Sequence, residues 1–170
     1  MVFTNSEETW QRLDYSLFVN GPISLYWKKE LWRADLKWFE ENNYRVVRMD
    51  AATWKTEKDF HKEIKNLLEF PDYYGGNLDA LNDCLSDIEF GEFDGIVIAL
   101  ENYDEWYKKD RECSEIILDI MADSSYHHLL FGNRLAVLVQ SNDPQIEFKP
   151  VGARPVMWNP KEWLDKNRGL

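Results

Sequence analysis

Short apolar runs alternate along this chain with longer stretches in which apolar residues recur every three or four positions. The short runs predict strands, and the longer amphipathic stretches predict helices. The predicted strands are residues 16–19 and 23–27 (two strands, or one interrupted by the turn at 20–22), 44–49, 96–100 and 135–139. The predicted helices are residues 28–42, 57–70, 77–88 and 112–130, the last with Ile116, Ile117, Ile120 and Met121 facing inward. This alternation predicts an α/β fold with a small, mostly parallel sheet flanked by helices.

The last part of the chain follows a different pattern. Residues 144–170 hold four of the six prolines and two tryptophans, Trp158 and Trp163. Prolines disfavour regular helices and central strands, and indole rings favour burial. We therefore expect an extended segment that wraps the core and buries both tryptophans.

Charge is distributed very unevenly. The chain has a net charge of −11, yet its 20 acids outside residues 66–107 are balanced by all 20 of its bases. Inside that segment there is no Lys, Arg or His, but there are eleven carboxylates: Glu69, Asp72, Asp79, Asp83, Asp87, Glu89, Glu92, Asp94, Glu101, Asp104 and Glu105. A local negative field attracts a positively charged partner and disfavours nucleic acid, whose phosphates require basic side chains.

The predicted helix at 77–88 separates apolar from acidic side chains. At 100° per residue, one side carries Leu78, Leu81, Leu85 and Ile88, and the opposite side carries Asp79, Asn82, Asp83, Ser86 and Asp87. Asn77 is a suitable N-cap for this helix. The acidic side is either a solvated face that serves solubility or a binding surface for a basic partner.

The loop before this helix contains two tyrosines and two glycines, Tyr73 to Gly76. The glycines suit a tight connection with positive φ, in which the tyrosines would cover the edge of the core. Alternatively, an exposed tyrosine beside the carboxylates would be an interface residue, because its rigid ring offers a large contact area with a polar tip.

Residues 73–85, with the sequence YYGGNLDALNDCL, resemble the signature of the barstar family of intracellular ribonuclease inhibitors. The resemblance covers about 44–141. It implies a small parallel sheet with flanking helices, no enzymatic activity and no cofactor. It also implies that the loop and the acidic helix block the basic active site of a ribonuclease, with carboxylates in the place of substrate phosphates.

The resemblance also assigns roles to individual residues. Asp83 would be the central carboxylate, Asp79 a second acidic contact, Tyr73 an aromatic contact and Ser86 a small hydroxyl at the helix end. Asn82 departs from the family, because its best-known member has a tryptophan there, and Gly76 replaces an acid. Asp123 is the candidate for a further acidic contact in the next helix. The predicted partner-binding residues are Tyr73, Asp79, Asn82, Asp83, Ser86, Asp87 and Asp123.

The resulting organisation has three parts: a strand–helix extension packed on the core (1–43), a barstar-like domain (44–141) and a proline-rich extension (142–170).

The start of the chain lacks a basic region followed by an apolar run, and the apolar runs are too short to span a bilayer. Cys84 and Cys113 are expected to be buried free thiols. We therefore expect a cytoplasmic monomer that acts as an inhibitor, an antitoxin or an immunity protein.

Two alternatives remain. An enzyme is disfavoured, because carboxylates on an exposed helix face stay solvated and the three histidines lack the spacing of metal ligands. No phosphate-binding glycine loop or nucleophile motif is present either. The second alternative keeps the fold and changes the partner, so that the chain is an immunity protein or acidic interaction module for a toxin that is not a ribonuclease.

Overall fold

The computed structural model describes residues 3–170, which form one parallel five-stranded sheet with helices on both faces. The strands are β1 (Ile23–Tyr26), β2 (Tyr44–Asp50), β3 (Gly95–Glu101), β4 (Arg134–Gln140) and β5 (Met157–Trp158). The helices are α1 (Glu7–Trp10), α2 (Leu13–Asn20), α3 (Lys29–Glu41), α4 (Glu57–Leu67), α5 (Leu78–Ser86), α6 (Tyr103–Lys109) and α7 (Arg111–Leu130), with 3-10 turns at Ala51–Thr53 and Asp165–Arg168. The strand order is β2-β3-β4-β1-β5, and every pairing is parallel. The predicted α/β class is confirmed.

Two cores lie on the two faces of the sheet. On one face, α4 to α7 pack against inward side chains such as Ile98 of β3 and Val137 of β4. On the other face, α2 and α3 bury Leu17, Trp32, Leu36 and Phe39 against alternate strand residues, among them Val97 and Leu138. Because successive strand residues point to opposite faces, β3 and β4 supply both cores, and their central residues 96–100 and 135–139 are apolar throughout.

The predicted strand at 16–19 is wrong, because these residues lie in α2. In a strand, residues 17 and 19 would share one face, but Leu17 is buried while Val19 is 57% exposed. The helix ends at Asn20 and is capped by Gly21, whose φ of 123° is costly for other residues. The chain then passes through Pro22 directly into β1, so the N-terminal region has one strand rather than two.

Three further expectations need correction. Ile116 is exposed rather than inward, whereas Ile117 and Met121 of the same helix are fully buried. Cys84 is only half-buried, while Cys113 is buried and both are free thiols. The short helix α6 was not predicted, because seven residues give too little periodicity to reveal a helix.

The C-terminal segment crosses β1 and adds β5 at the edge of the sheet. Ile146 and Val151 join the core on the α4–α7 face. Trp158 is half-buried, with the guanidinium of Arg168 lying 4.5 Å from its ring centroid. Trp163 is exposed, so its expected burial is wrong.

Within residues 3–170, no helix is both long and apolar enough to cross a membrane.

Candidate partner-binding site

The acidic helix α5 is fixed by its cap and its apolar side. The side-chain oxygen of Asn77 accepts a hydrogen bond of 2.8 Å from the backbone N–H of Ala80, as the sequence predicts. Leu81 and Leu85 are fully buried, and Leu78 and Ile88 pack at the margin of the core. The helix packs against α7 on one side, so its polar side must face outward.

The outward side carries the predicted residues. Asp79, Asn82, Asp83 and Asp87 are exposed, and within residues 3–170 none of these three carboxylates has an ion pair. Ser86 is half-buried, and its hydroxyl donates a 2.8 Å hydrogen bond to the carbonyl oxygen of Asn82. The hydroxyl oxygen of Ser86 therefore remains able to accept a hydrogen bond from a partner.

The structure divides the eleven carboxylates of residues 66–107 into two groups. Four form ion pairs: Glu69 with Arg45, Glu101 with Lys29 and Arg33, and both Asp104 and Glu105 with Lys108. Among the described residues, the other seven are exposed and have no ion pair: Asp72, Asp79, Asp83, Asp87, Glu89, Glu92 and Asp94. The unneutralised negative charge is therefore concentrated on α5 and the loops at its two ends.

A cleft of about 290 Å³ brings three of the predicted residues together. Tyr73, Asp83 and Asp87 line it, along with Arg45, Glu69, Glu89 and the chain from Leu68 to Pro71. Tyr73 is 84% exposed, so its ring stands free at the rim. Burial, followed by the charges of Asp83 and Asp87, raises the pKa of the Cys84 thiol, which also lines the cleft. Cys84 therefore stays protonated at neutral pH and is a poor nucleophile.

The two tyrosines of the loop have different environments. Tyr74 is buried: its ring lies 5.0 Å from that of Phe70, and its hydroxyl pairs with Nδ1 of His61. Burial raises the pKa of Tyr74. Gly76 has a φ of 63°, as the tight connection requires. Tyr74 therefore covers the edge of the core, whereas Tyr73 is exposed beside the carboxylates. The two differ because the backbone directs adjacent side chains in different directions.

Asp123 lies apart from this cleft, on the exposed side of α7. Burial and the charge of Asp119 raise its pKa. Across residues 3–170, no hydrogen bond or ion pair connects Asp123 to α5. The link between the two helices is instead His128, whose Nε2–H donates a 2.7 Å hydrogen bond to the carbonyl oxygen of Leu85.

Arg45, Glu69 and Glu89 line the cleft but were not predicted as site residues. Arg45 lies on β2 and holds the end of α4 through a 2.8 Å hydrogen bond to the carbonyl oxygen of Leu67. Glu69 and Glu89 belong to the acidic segment 66–107, so the concentration of carboxylates in the sequence could have indicated them as site residues. Nothing local distinguishes Arg45, because its place in the cleft depends on how β2 and α5 pack.

The fold and this surface define an α/β protein that exposes an acidic helix beside an aromatic loop. The family model described as Barstar (barnase inhibitor) matches residues 44–140, more than half of the chain. The chain belongs to the barstar family, and the resemblance based on residues 73–85 is confirmed.

A curated relative from Bacillus subtilis (strain 168) bears the name "Putative ribonuclease inhibitor YrdF". It is 45% identical to this chain over 42 residues, which are 25% of this chain and 46% of the relative. The chain thus matches about half the length of this relative.

Proposed function

We propose that this protein inhibits a basic ribonuclease by covering its active site with α5 and the loop that precedes it. The observation that carries the proposal is the exposed row Asp79, Asp83 and Asp87, which has no ion pair among residues 3–170 and lies beside the exposed ring of Tyr73. Membership of the barstar family and the name of the Bacillus subtilis relative support it.

The chemistry follows from what a ribonuclease site must do. Such a site binds phosphate and is therefore basic, so carboxylates held on a rigid helix can occupy the positions of substrate phosphates. Like charges four residues apart on a helix cost about 0.2–0.5 kcal/mol per pair. A basic partner relieves this repulsion, so the acidic row is more favourable in the complex than in the free protein.

Each site residue has a role in this proposal. Asp83, in the wall of the cleft, is the central carboxylate, with Asp79 and Asp87 one turn away on either side. Tyr73 packs its ring against the partner, and Asn82 and Ser86 provide polar contacts on the same helix. Asp123 would reach only a partner broad enough to cover α7 as well.

Titration of the protein into a barnase-type ribonuclease, with RNA cleavage as the readout, tests the proposal. We expect one-to-one loss of cleavage by the wild-type chain. Asp83→Ala should weaken binding by at least about 2 kcal/mol, because it leaves a desolvated cation of the partner without its counter-charge. The matched control is Glu8→Ala, which removes an exposed carboxylate on α1.

Two results would contradict the proposal. A loss under half the expected value for Asp83→Ala would remove this residue from the centre of the interface. A wild-type chain that leaves cleavage intact would direct the search to basic toxins that are not ribonucleases, with the chain as their immunity protein.

A further inference from the structure

Helix α4 has a basic face that the proposed function does not use. Lys58, Lys62 and Lys65 are spaced i, i+4 and i+7, so they lie along one side of the helix. Lys58 and Lys62 are exposed and Lys65 is half-buried, and within residues 3–170 none of the three ammonium groups has an ion pair or a hydrogen bond. Like charges three and four residues apart on a helix repel each other. This row of lysines, the α4 face, is therefore unneutralised positive charge on a chain whose net charge is −11.

The α4 face lines a second cleft, of about 360 Å³. The other walls of this cleft are His61, Tyr74, Gly75 and Gly76. Glu57, which lines the adjoining space next to the first lysine, is already engaged by Nε2 of His61 at 2.9 Å. The ammonium groups thus dominate the charge of the second cleft, which suits a carboxylate of a partner and disfavours a cation.

A single loop separates the second cleft from the first. Tyr73 lines the first cleft together with Asp83, and the next three residues, Tyr74 to Gly76, line the second. Consecutive Cα atoms are about 3.8 Å apart, so the two clefts adjoin each other at this loop. Nδ1 of His61 pairs with the hydroxyl of Tyr74 and so fixes the loop to α4.

A partner that covers the acidic row also comes close to the lysines. A stable interface covers roughly 800 Å² on each protein, which is far more than one helix face. A protein that packs on α5 and on the exposed ring of Tyr73 therefore spans the loop and meets the α4 face on its other side.

We infer that the α4 face binds an acidic area of the same ribonuclease, next to the positive site that receives Asp83. The inference rests on the proposed function, and it adds a requirement for the partner. The partner must carry opposite charges on the two sides of the region that contacts Tyr73. A protein that is basic throughout would place its cations against the three lysines, which costs free energy. The acidic row thus attracts basic proteins in general, and the α4 face selects among them.

A second copy of this chain also has charges that complement the α4 face, but it matches them poorly. A two-fold dimer would place the lysines of each copy against the acidic row of the other. On α5 and its flanking loops, seven exposed carboxylates have no ion pair within residues 3–170, so they outnumber the three lysines and most of them would meet no cation. Such a dimer would bring unmatched like charges together, whereas a basic ribonuclease neutralises them.

The test compares two charge reversals in the full chain, Lys62→Glu on the α4 face and Lys166→Glu as the matched control. Lys166 is exposed and also has no ion pair within residues 3–170. It lies on the 3-10 turn Asp165–Arg168, which contacts β5 at one edge of the sheet, whereas α4 follows β2 at the other edge. Both variants change the net charge equally, so the general attraction to a basic protein rises equally in both.

The affinity for a barnase-type ribonuclease is the readout. We expect Lys62→Glu to bind at least about tenfold more weakly than wild type, because the new carboxylate faces the acidic area of the partner. Lys62→Ala should bind with an affinity between those of wild type and Lys62→Glu. Lys166→Glu should bind as tightly as wild type or slightly more tightly. All three variants should keep the wild-type melting temperature, because the substituted side chains are exposed.

Each other result would contradict the inference. If Lys62→Glu binds as tightly as Lys166→Glu while Asp83→Ala binds weakly, the α4 face has no role and the inhibitor function stands. Absence of wild-type binding would overturn both. A wild-type dimer in sedimentation, or binding of labelled RNA by the chain alone, lost in Lys62→Glu in either case, would assign the α4 face to self-association or to nucleic acid instead.

Discussion

Glu162 is a carboxylate with no exposed surface, and it connects the C-terminal segment to the start of α3. It accepts hydrogen bonds of 2.9 Å from the backbone N–H groups of Trp27 and Lys28, and one of 2.7 Å from Nδ2 of Asn159. The first N–H groups of a helix have no partner within it, and the helix dipole favours an anion there. A single side chain thus satisfies donors that lie more than a hundred residues away in sequence.

Glu162→Ala is predicted to lower the free energy of unfolding by about 2 kcal/mol, because the backbone N–H groups of Trp27 and Lys28 lose the buried carboxylate that accepts from both. Urea unfolding measures the change. Glu147→Ala is the control, since Glu147 lies exposed in the same C-terminal segment. Equal stabilities for the two variants would show that the C-terminal segment does not depend on this carboxylate.

At the scale of elements, His128 joins α7 to α5. Its Nε2–H donates to a carbonyl oxygen in the last turn of α5, where the carbonyl groups of a helix have no N–H donors within the helix. Burial lowers the pKa of His128; the hydrogen bond to Leu85 opposes this shift, and the charge of His127 reinforces it. The folded protein therefore binds this proton more weakly than the unfolded chain does.

Stability should consequently fall as the pH drops below about 6.5, the ordinary value for histidine, toward the lowered pKa of the folded state. Above pH 6.5 the histidine is neutral in both states and contributes no pH dependence. His128→Gln keeps a donor for the Leu85 carbonyl without a titrating ring, so its stability should change less between pH 7 and 5. His127→Gln keeps the ring of His128 and removes only a neighbouring charge, so its profile should change less than that of His128→Gln. Identical profiles for wild type and His128→Gln would contradict this account.

At the scale of the whole molecule, the residues outside the family match complete the sheet. Strand β1 pairs with β4 and β5, and α2 and α3 cover the face that displays Tyr44, Val97 and Leu138. We propose that residues 1–43 and 142–170 are structural extensions of the central unit. On this proposal they stabilise the sheet, and the binding surface on α5 lies on the face opposite α2 and α3.

The concentration of unpaired carboxylates on that face predicts electrostatic steering. Raising the salt from about 50 mM to about 500 mM should slow association with a basic ribonuclease by about tenfold or more, because exposed charges are screened beyond roughly 10 Å at 0.1 M. Dissociation should change much less. Stopped-flow kinetics measures both rate constants, and an association rate that is independent of salt would contradict steering.

The sequence by itself determined strands β1 to β4, helices α3, α4, α5 and α7, the apolar side of α5, its Asn77 cap and the acidic row. These features depend on residues close together in the chain, so periodicity and charge reveal them. The sequence also contained the family signature at residues 73–85. The strand predicted at residues 16–19 was wrong. This short apolar run has no clear alternation, and it forms a helix whose burial depends on the sheet that it covers.

Only the tertiary structure decided which carboxylates remain free. Glu101 and Asp104 count as acids in the sequence, but Lys29 and Lys108 neutralise them, whereas Asp83 and Asp87 have no ion pair among residues 3–170. The structure also distinguished exposed Tyr73 from buried Tyr74, and placed Arg45 in the cleft. The physical reason is that charge neutralisation and exposure depend on which side chains packing brings together. Residues that are neighbours in the fold can lie far apart in the sequence, so the sequence alone does not reveal these contacts.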